Sequence, residues 1–375
     1  MSVPRKIAFF APIKPPDHPI PSGDRLIARI LIKALELPGN EVELASRYIC
    51  YSKRSSREIL TERKQGALEE ANKIIADYNS RTKPDRPDIW ITYHPYCKAP
   101  DWIGPIVSKK LGIPYVTVEA VRTGQGGPED EWAEWRSEAQ AGIKKADMHM
   151  VFKPTDGAYL KEFLGSEEKL RNLTPFMDTH TELVTPIQRP EIWSCETPMM
   201  ITAGMMRKGK KDRNFYILAE TLSGLVNEKW NLVVVGGGPE EKNIRGAFSS
   251  IPDTRMHWTG QVEHSNVLGW MKSSDLFVWP GWKEPIGMVY LEAQLQGLPV
   301  IAYESMGVPL VVEHGKTGFL APENGIEEMR ENIRLLLANK KMRTEMGEAA
   351  VKKVSDEHSI EVAAKRLNKL LEELS

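Results

Sequence analysis

The chain has 375 residues, 41% hydrophobic and 27% charged, with a formal net charge of −1. That balance suits a globular protein long enough for two domains, and it excludes a bulk field for nucleic acid, so any basic site must be local. The three cysteines, Cys50, Cys97 and Cys195, form no CxxC; they exclude a zinc knuckle or disulfide framework and read as reduced structural thiols of a cytoplasmic protein.

The opening stretch, MSVPRKIAFFAPIKPPD, has one short apolar run broken by prolines. It reads as a first strand (6–12) and not as a signal peptide. No apolar run reaches the ~18 residues of a membrane span. Residues 24–37 follow with helical period, placing Leu26, Ile27, Ile30, Leu31 and Ala34 on a core face. Arg25, Arg29 and Lys33 recur every four residues on the other face. That is the pattern of a solvated face, and also of a basic helix resting on an anionic membrane at the inner surface of the cell. Further strands are expected at 41–46, 88–94, 113–120 and 148–154, with a helix near 101–111.

Around 175–198 four prolines and little periodicity mark an inter-domain connection. The alternation then restarts, with strands at 198–204, 231–238, 255–260, 275–280, 298–304 and 317–322, and helices from about 326 to 374. Such alternation predicts an α/β protein of two doubly wound Rossmann-like domains facing a cleft, with a helical C-terminal tail. The expected limits are 1–180 for the first domain, 181–197 for the connection and 198–356 for the second domain. A last helix, 357–375, is expected to pack back towards the first domain.

Three strand-to-helix junctions of the second half carry candidate chemistry. AGMMRKGKKDR (203–213) sets Arg207, Lys208, Lys210, Lys211 and Arg213 before a helix. It reads as a solvated loop or, at the positive end of a helix dipole, as an anion site suited to a diphosphate. VVVGGGPEE (233–241) reads as a tight turn or a place where a ligand approaches the backbone. EPIGMVYLE (284–292) spaces Glu284 and Glu292 across a helix start at Gly287; acidic residues there occur for dipole reasons alone. No HExxH, GxSxG, P-loop or Asp-x-Asp pair is present, which weighs against metal hydrolysis, acyl transfer and P-loop chemistry.

Taken in order, these stretches resemble the retaining glycosyltransferases of family 4 (group 1), GT-B fold, and a bacterial branch of them. The likeness is carried by ITAGMMRKGKK, LVVVGGGP, MHWTGQV and SSDLFVWPGWKEPIGMVYLEAQLQGLPVIAYESMGVPLVVEHGKTGFLAP. APIKPPDHPIPSGDRLIARIL in the first half is a weaker match. The resemblance implies that Glu292 accepts from ribose hydroxyls and Glu284 from donor-sugar hydroxyls. Arg207 and Lys211 look like the basic pair on the diphosphate, with Lys210 a rival for the lysine role. Backbone N–H groups of Gly287, Met288 and Val289 would hold sugar and phosphate oxygens, and Gln261 and Val262 would lie along the base. Gly204, Gly237 and, in the first domain, Gly23 join the donor-binding positions.

Glu119 and Ala120 stand where the family often has a histidine, and His94 is taken as an acceptor-side group with Gly23 and Asp24. The implied activity is transfer of a sugar from a UDP- or GDP-linked donor to a glycan or lipid-linked acceptor, in polysaccharide or cell-envelope glycan synthesis. No cofactor or metal is implied beyond the nucleotide-sugar co-substrate. A nucleotide-sugar epimerase and a non-catalytic nucleotide-sugar-binding subunit remain as rivals.

Overall fold

The computed structural model describes residues 4–20, 22–121, 130–180 and 184–374. Its contacts divide the chain into two units, Met1–Thr174 with Ile360–Ser375, and Pro175–Ser359.

The first unit alternates β1 (Lys6–Phe10), α1 (Gly23–Glu36), β2 (Glu41–Leu44), α2 (Arg57–Ser80), β3 (Ile89–Tyr93), α3 (Gly104–Leu111), β4 (Tyr115–Val118), α4 (Ala133–Ile143), β5 (Met148–Val151), α5 (Pro154–Leu164) and β6 (Leu170–Asn172). The strands form one parallel sheet in the order β2-β1-β3-β4-β5-β6. Strands covered on both faces bury every side chain, which is why IWITY of β3 and YVTV of β4 lack alternation.

The second unit repeats the scheme with β7 (Met199–Ala203), α6 (Lys210–Ser223), β8 (Asn231–Val235), α7 (Glu241–Ala247), β9 (Met256–Gly260), α8 (His264–Lys272), β10 (Leu276–Val278), α9 (Met288–Leu295), β11 (Val300–Tyr303), α10 (Val308–Val311), β12 (Gly318–Ala321), α11 (Ile326–Ala338) and α12 (Lys340–Glu357). Its sheet is also parallel, in the order β12-β11-β10-β7-β8-β9. The strand order reverses between β1 and β3 in the first sheet and between β7 and β10 in the second. Open parallel sheets bind ligands beyond the carboxyl ends of their strands at such points. No helix among the described residues is long and apolar enough to cross a membrane.

Two expectations need correction. Residues 181–197, expected as a free connection, fall within the second unit, and 181–183 lie outside the described residues. Arg189 pairs with Asp275 at 2.8 Å, and Trp193 is buried with its indole N–H donating to the Thr254 carbonyl. The final helix packs back on the first unit as expected: α13 (Ile360–Glu372) starts three residues later than 357 and lies on α1. The buried stripe of α1 is Ala28, Leu31, Ala34 and Leu35, while Leu26 is 42% exposed. The helix is covered by α13 as well as by the sheet, which shifts its buried face from the one read along the sequence. Arg25 is half-buried and its Nε donates to the Pro16 carbonyl, leaving Arg29 and Lys33 exposed.

Candidate functional site

In the second unit the loop after β7 and the loop after β10 flank the switch point, and an ion pair spans it. Lys211, in the first turn of α6, places Nζ 2.9 Å from Glu284 Oε2. Both side chains are largely covered, and Nζ also sits 5.8 Å above the Trp279 ring. Asn214, one turn further along α6, ties the two loops together. Its Oδ1 accepts from the Trp282 N–H at 2.7 Å, and its Nδ2 donates to the Lys210 carbonyl at 2.7 Å and the Trp282 carbonyl at 3.2 Å. Reading the sequence missed this residue, because an asparagine within a helix carries no local signal.

The basic loop is set by its neighbours. Gly204 packs against the Trp279 ring, and the Met206 N–H donates to the Gly237 carbonyl at 2.9 Å. Gly236 has φ +125, and a Cβ there would lie 2.0 Å from the Gly204 carbonyl oxygen. The glycine run therefore serves close approach between two loops of the protein itself. Arg207, Lys208 and Lys210 are exposed, and Lys210 Nζ reaches the Lys283 carbonyl at 3.4 Å.

Glu284 lies in the loop, as expected, and Gly287 caps α9 with φ +80, where an added Cβ would strike the Tyr290 ring. No side chain caps this helix, so the first-turn N–H groups at Met288 and Val289 have no carbonyl within the helix to satisfy them. Met288 and Val289 themselves pack their side chains on the core. The loop is fixed from behind: Lys283 N–H donates to Ser305 Oγ at 3.0 Å, Ser305 donates to Glu323 at 2.6 Å, and Gly307 N–H donates to the Glu284 carbonyl.

Glu292, one turn inside α9, is held at 3.0 Å by Nε2 of His264, at the start of α8. That hydrogen bond raises the His264 pKa, against the opposing effect of burial. His264 follows Gln261, which is exposed, and Val262, which rests on the core. The site thus presents two carboxylates, each with a basic partner, beside exposed cations and free helix N–H groups. It can bind hydroxyls and anionic oxygens together. Among the described residues no group of three or more His, Cys, Asp or Glu is placed to hold a metal ion.

The first unit holds a separate cluster at its own switch point. His94 follows β3, and its Nδ1 lies 3.0 Å from Oδ1 of Asp24 in the first turn of α1. A carboxylate only accepts, so Nδ1 carries the proton. Gly23 opens α1, and a Cβ there would meet nothing within 4 Å. Burial opposes charge on His94, but the Asp24 hydrogen bond and the nearby Glu119 charge outweigh it, and its pKa is raised. Burial likewise pushes Asp24 up, but the hydrogen bond and charge of His94, with a backbone hydrogen bond and the Lys14 charge, together outweigh it, so its pKa is lowered. Beyond them Lys153 Nζ sits 3.3 Å from Glu119 and 2.7 Å from Asp156.

Residues 191–353 match the family model described as glycosyl transferases group 1. An uncharacterized glycosyltransferase of Haemophilus influenzae is 32% identical over 133 residues, covering 35% of this chain and 37% of that protein. A GDP-mannose-dependent monoacylated alpha-(1-6)-phosphatidylinositol monomannoside mannosyltransferase of Corynebacterium glutamicum is 30% identical over 148 residues, 38% of each. The chain thus aligns with little more than a third of the length of these relatives.

Among solved structures, sucrose-phosphate synthase of Thermosynechococcus elongatus superposes with a TM-score of 0.71 at 18% identity, over 99% of both chains. Anabaena HepE in complex with UDP gives 0.70 at 17% identity, over 98% of this chain and 100% of that one. These structural likenesses show the fold, the two Rossmann-like domains of the GT-B class. The matched stretch, 191–353, is the part of the chain similar to the glycosyl transferases of group 1, and it carries the Lys211–Glu284 and His264–Glu292 pairs.

Proposed function

We propose that the protein is a glycosyltransferase that takes a sugar from a UDP- or GDP-linked donor, with retention at the anomeric carbon, and passes it to a glycan or lipid-linked acceptor. The observation that carries this reading is the pairing of Glu284 with Lys211 across the switch point of the second sheet. It sets a sugar-hydroxyl acceptor beside a cation suited to a diphosphate. Glu292 would take the ribose hydroxyls in place of His264, and Glu284 the donor-sugar hydroxyls. Arg207, Lys211 and the N–H groups at Gly287, Met288 and Val289 would face the diphosphate.

Breaking the anomeric bond leaves negative charge on the diphosphate and positive charge on the sugar. Cations and N–H groups already in place stabilise that charge without reorganising. The leaving phosphate oxygen would take the acceptor proton on the same face, so Glu284 and Glu292 need not act as the acid and nucleophile of a glycosidase. Gly23, Asp24 and His94 would serve the acceptor side. The HepE complex with UDP supports a uridine nucleotide, and the mannosyltransferase relative supports a guanosine one. Exposed Arg29 and Lys33 beside Leu26 leave room for a contact with anionic lipid.

The test is nucleotide release from UDP- and GDP-sugars with and without a panel of glycan and lipid acceptors. Transfer predicts UDP or GDP release that depends on acceptor, and a product whose anomeric configuration matches the donor's. Acceptor-independent turnover would favour an epimerase instead, and donor binding without turnover a sensor subunit.

A further inference from the structure

Two neighbouring strands of the first sheet end in the same unusual way. The last paired residues of β3 and β4 are Tyr93 and Val118. The residue after each, His94 and Glu119, has a left-handed backbone, with φ +58 and +55. Neither is glycine. Strain of this kind persists only where the surroundings impose it. Here they do: His94 N–H donates to the Val118 carbonyl at 2.8 Å, and Glu119 N–H to the Met150 carbonyl at 2.8 Å. Two ionisable side chains are thereby turned out side by side at the carboxyl edge of the sheet.

Their surroundings carry an excess of negative charge. Glu119, Lys153 and Asp156 are each less than a tenth exposed. Lys153 bridges the two carboxylates at 3.3 and 2.7 Å, and Tyr93 donates its hydroxyl to Glu119 at 3.4 Å. Asp24, on α1, adds a third carboxylate, hydrogen-bonded to His94. Asp24 is partly exposed and has the Lys14 charge near it, so the uncompensated buried charge is the −1 of Glu119, Asp156 and Lys153, which a protonated imidazole brings to zero. Buried charge has to be compensated, and His94 is the group placed to do it. Since Nδ1–H is committed to Asp24, the second proton would sit on Nε2, which has no hydrogen-bond partner among the described residues.

We propose that Glu119, fixed by Lys153 and Tyr93, is a positioning residue that keeps His94 an imidazolium. Its Nε2–H then donates to an oxygen of the sugar or phosphate ligand, and the ring does not accept a proton as a base. This role rests on the transfer reading above. The charge coupling between the two residues does not depend on it.

The experiment is an NMR titration of the His94 ring in the full-length, ligand-free protein, for wild type, Glu119→Gln and Glu119→Asp, beside the pH profile of kcat/KM for transfer. The wild-type midpoint is expected above 6.5. Glu119→Gln is expected to lower it by about one pH unit, and Glu119→Asp, which keeps the charge, to restore it. Transfer is expected to decline as pH rises through the wild-type midpoint, and the decline to move to lower pH in Glu119→Gln. A midpoint unmoved by Glu119→Gln, or moved equally by Glu119→Asp, overturns the charge coupling. Transfer that rises with pH through the midpoint overturns the donor role and makes His94 a base. A shifted midpoint with no transfer at any pH refutes the transferase reading while the coupling stands.

Discussion

Lys210 and Lys211 are adjacent in sequence, yet the fold treats them differently. Lys211 is drawn under the β10 loop onto Glu284, and Lys210 stays exposed with its ammonium near a backbone carbonyl. Lys211 should therefore be the lysine that meets the diphosphate. Lys211→Ala is expected to lower transfer kcat about 100-fold or more, on the scale of losing one preorganised donor, with Lys210→Ala within a few-fold of wild type. Steady-state kinetics on the two variants decide between them; an equal loss in both would return the choice to the loop as a whole. The carboxylates of this site were legible in the sequence because they lie eight positions apart across one helix start. Their neighbours were less so. His264 lies 28 positions before Glu292 and meets it only because α8 packs beside α9. Asn214 is defined by hydrogen bonds to a loop 68 positions away.

At the scale of elements, strands buried on both faces were the easiest to read, since short Val- and Ile-rich runs have few other homes. The failures have physical causes too. β6 is three residues, LRN, half-buried or exposed, and nothing in it distinguishes an edge strand from a loop. The buried positions of the long α2 are Leu60, Ala67, Ala71, Ile74 and Tyr78, three large side chains and two alanines over 24 residues, too thin a stripe to stand out. The β8 turn yields a direct prediction. Gly236→Ala sets a Cβ against the Gly204 carbonyl at a backbone angle unfavourable to alanine. It should destabilise the second unit by about 1–3 kcal/mol, read by urea denaturation, and displace the basic loop.

Another element-scale prediction concerns β4 and β5, where His149 is fully buried with Nδ1 2.6 Å from Thr117 Oγ1 and Nε2 without a partner. Burial lowers its pKa to about 4 from 6.5. The unfolded chain then binds this proton before the folded one does. Stability is whole above about 6.5 and falls as pH drops towards 4, by roughly 3 kcal/mol in all. Denaturation curves across that range should show the slope, and His149→Asn should flatten it.

On the scale of the whole molecule, the chain leaves the first unit at Thr174 and returns to it at Ile360. The return is a packed helix: Ile360, Ala363, Ala364, Leu367, Leu370 and Leu371 of α13 are buried, and Glu373 pairs with Arg171 at 2.6 Å. Truncation after Ser359 should strip amide-exchange protection from β1–β6 and leave the second sheet protected. Equal loss in both units would contradict the division. Because the proposed donor-side groups, Gly23 apart, lie in the second unit, the central claim can be tested by binding, before any acceptor is known. The measurement is a thermal-shift panel of nucleotides and nucleotide sugars on wild type and Glu292→Ala. UDP or GDP, or a sugar of one of them, should stabilise wild type by about 2.7 kcal/mol at 100 times its dissociation constant, and Glu292→Ala should lose most of that gain. No stabilisation by any nucleotide at millimolar concentration, or equal stabilisation of the variant, would contradict the donor-site assignment.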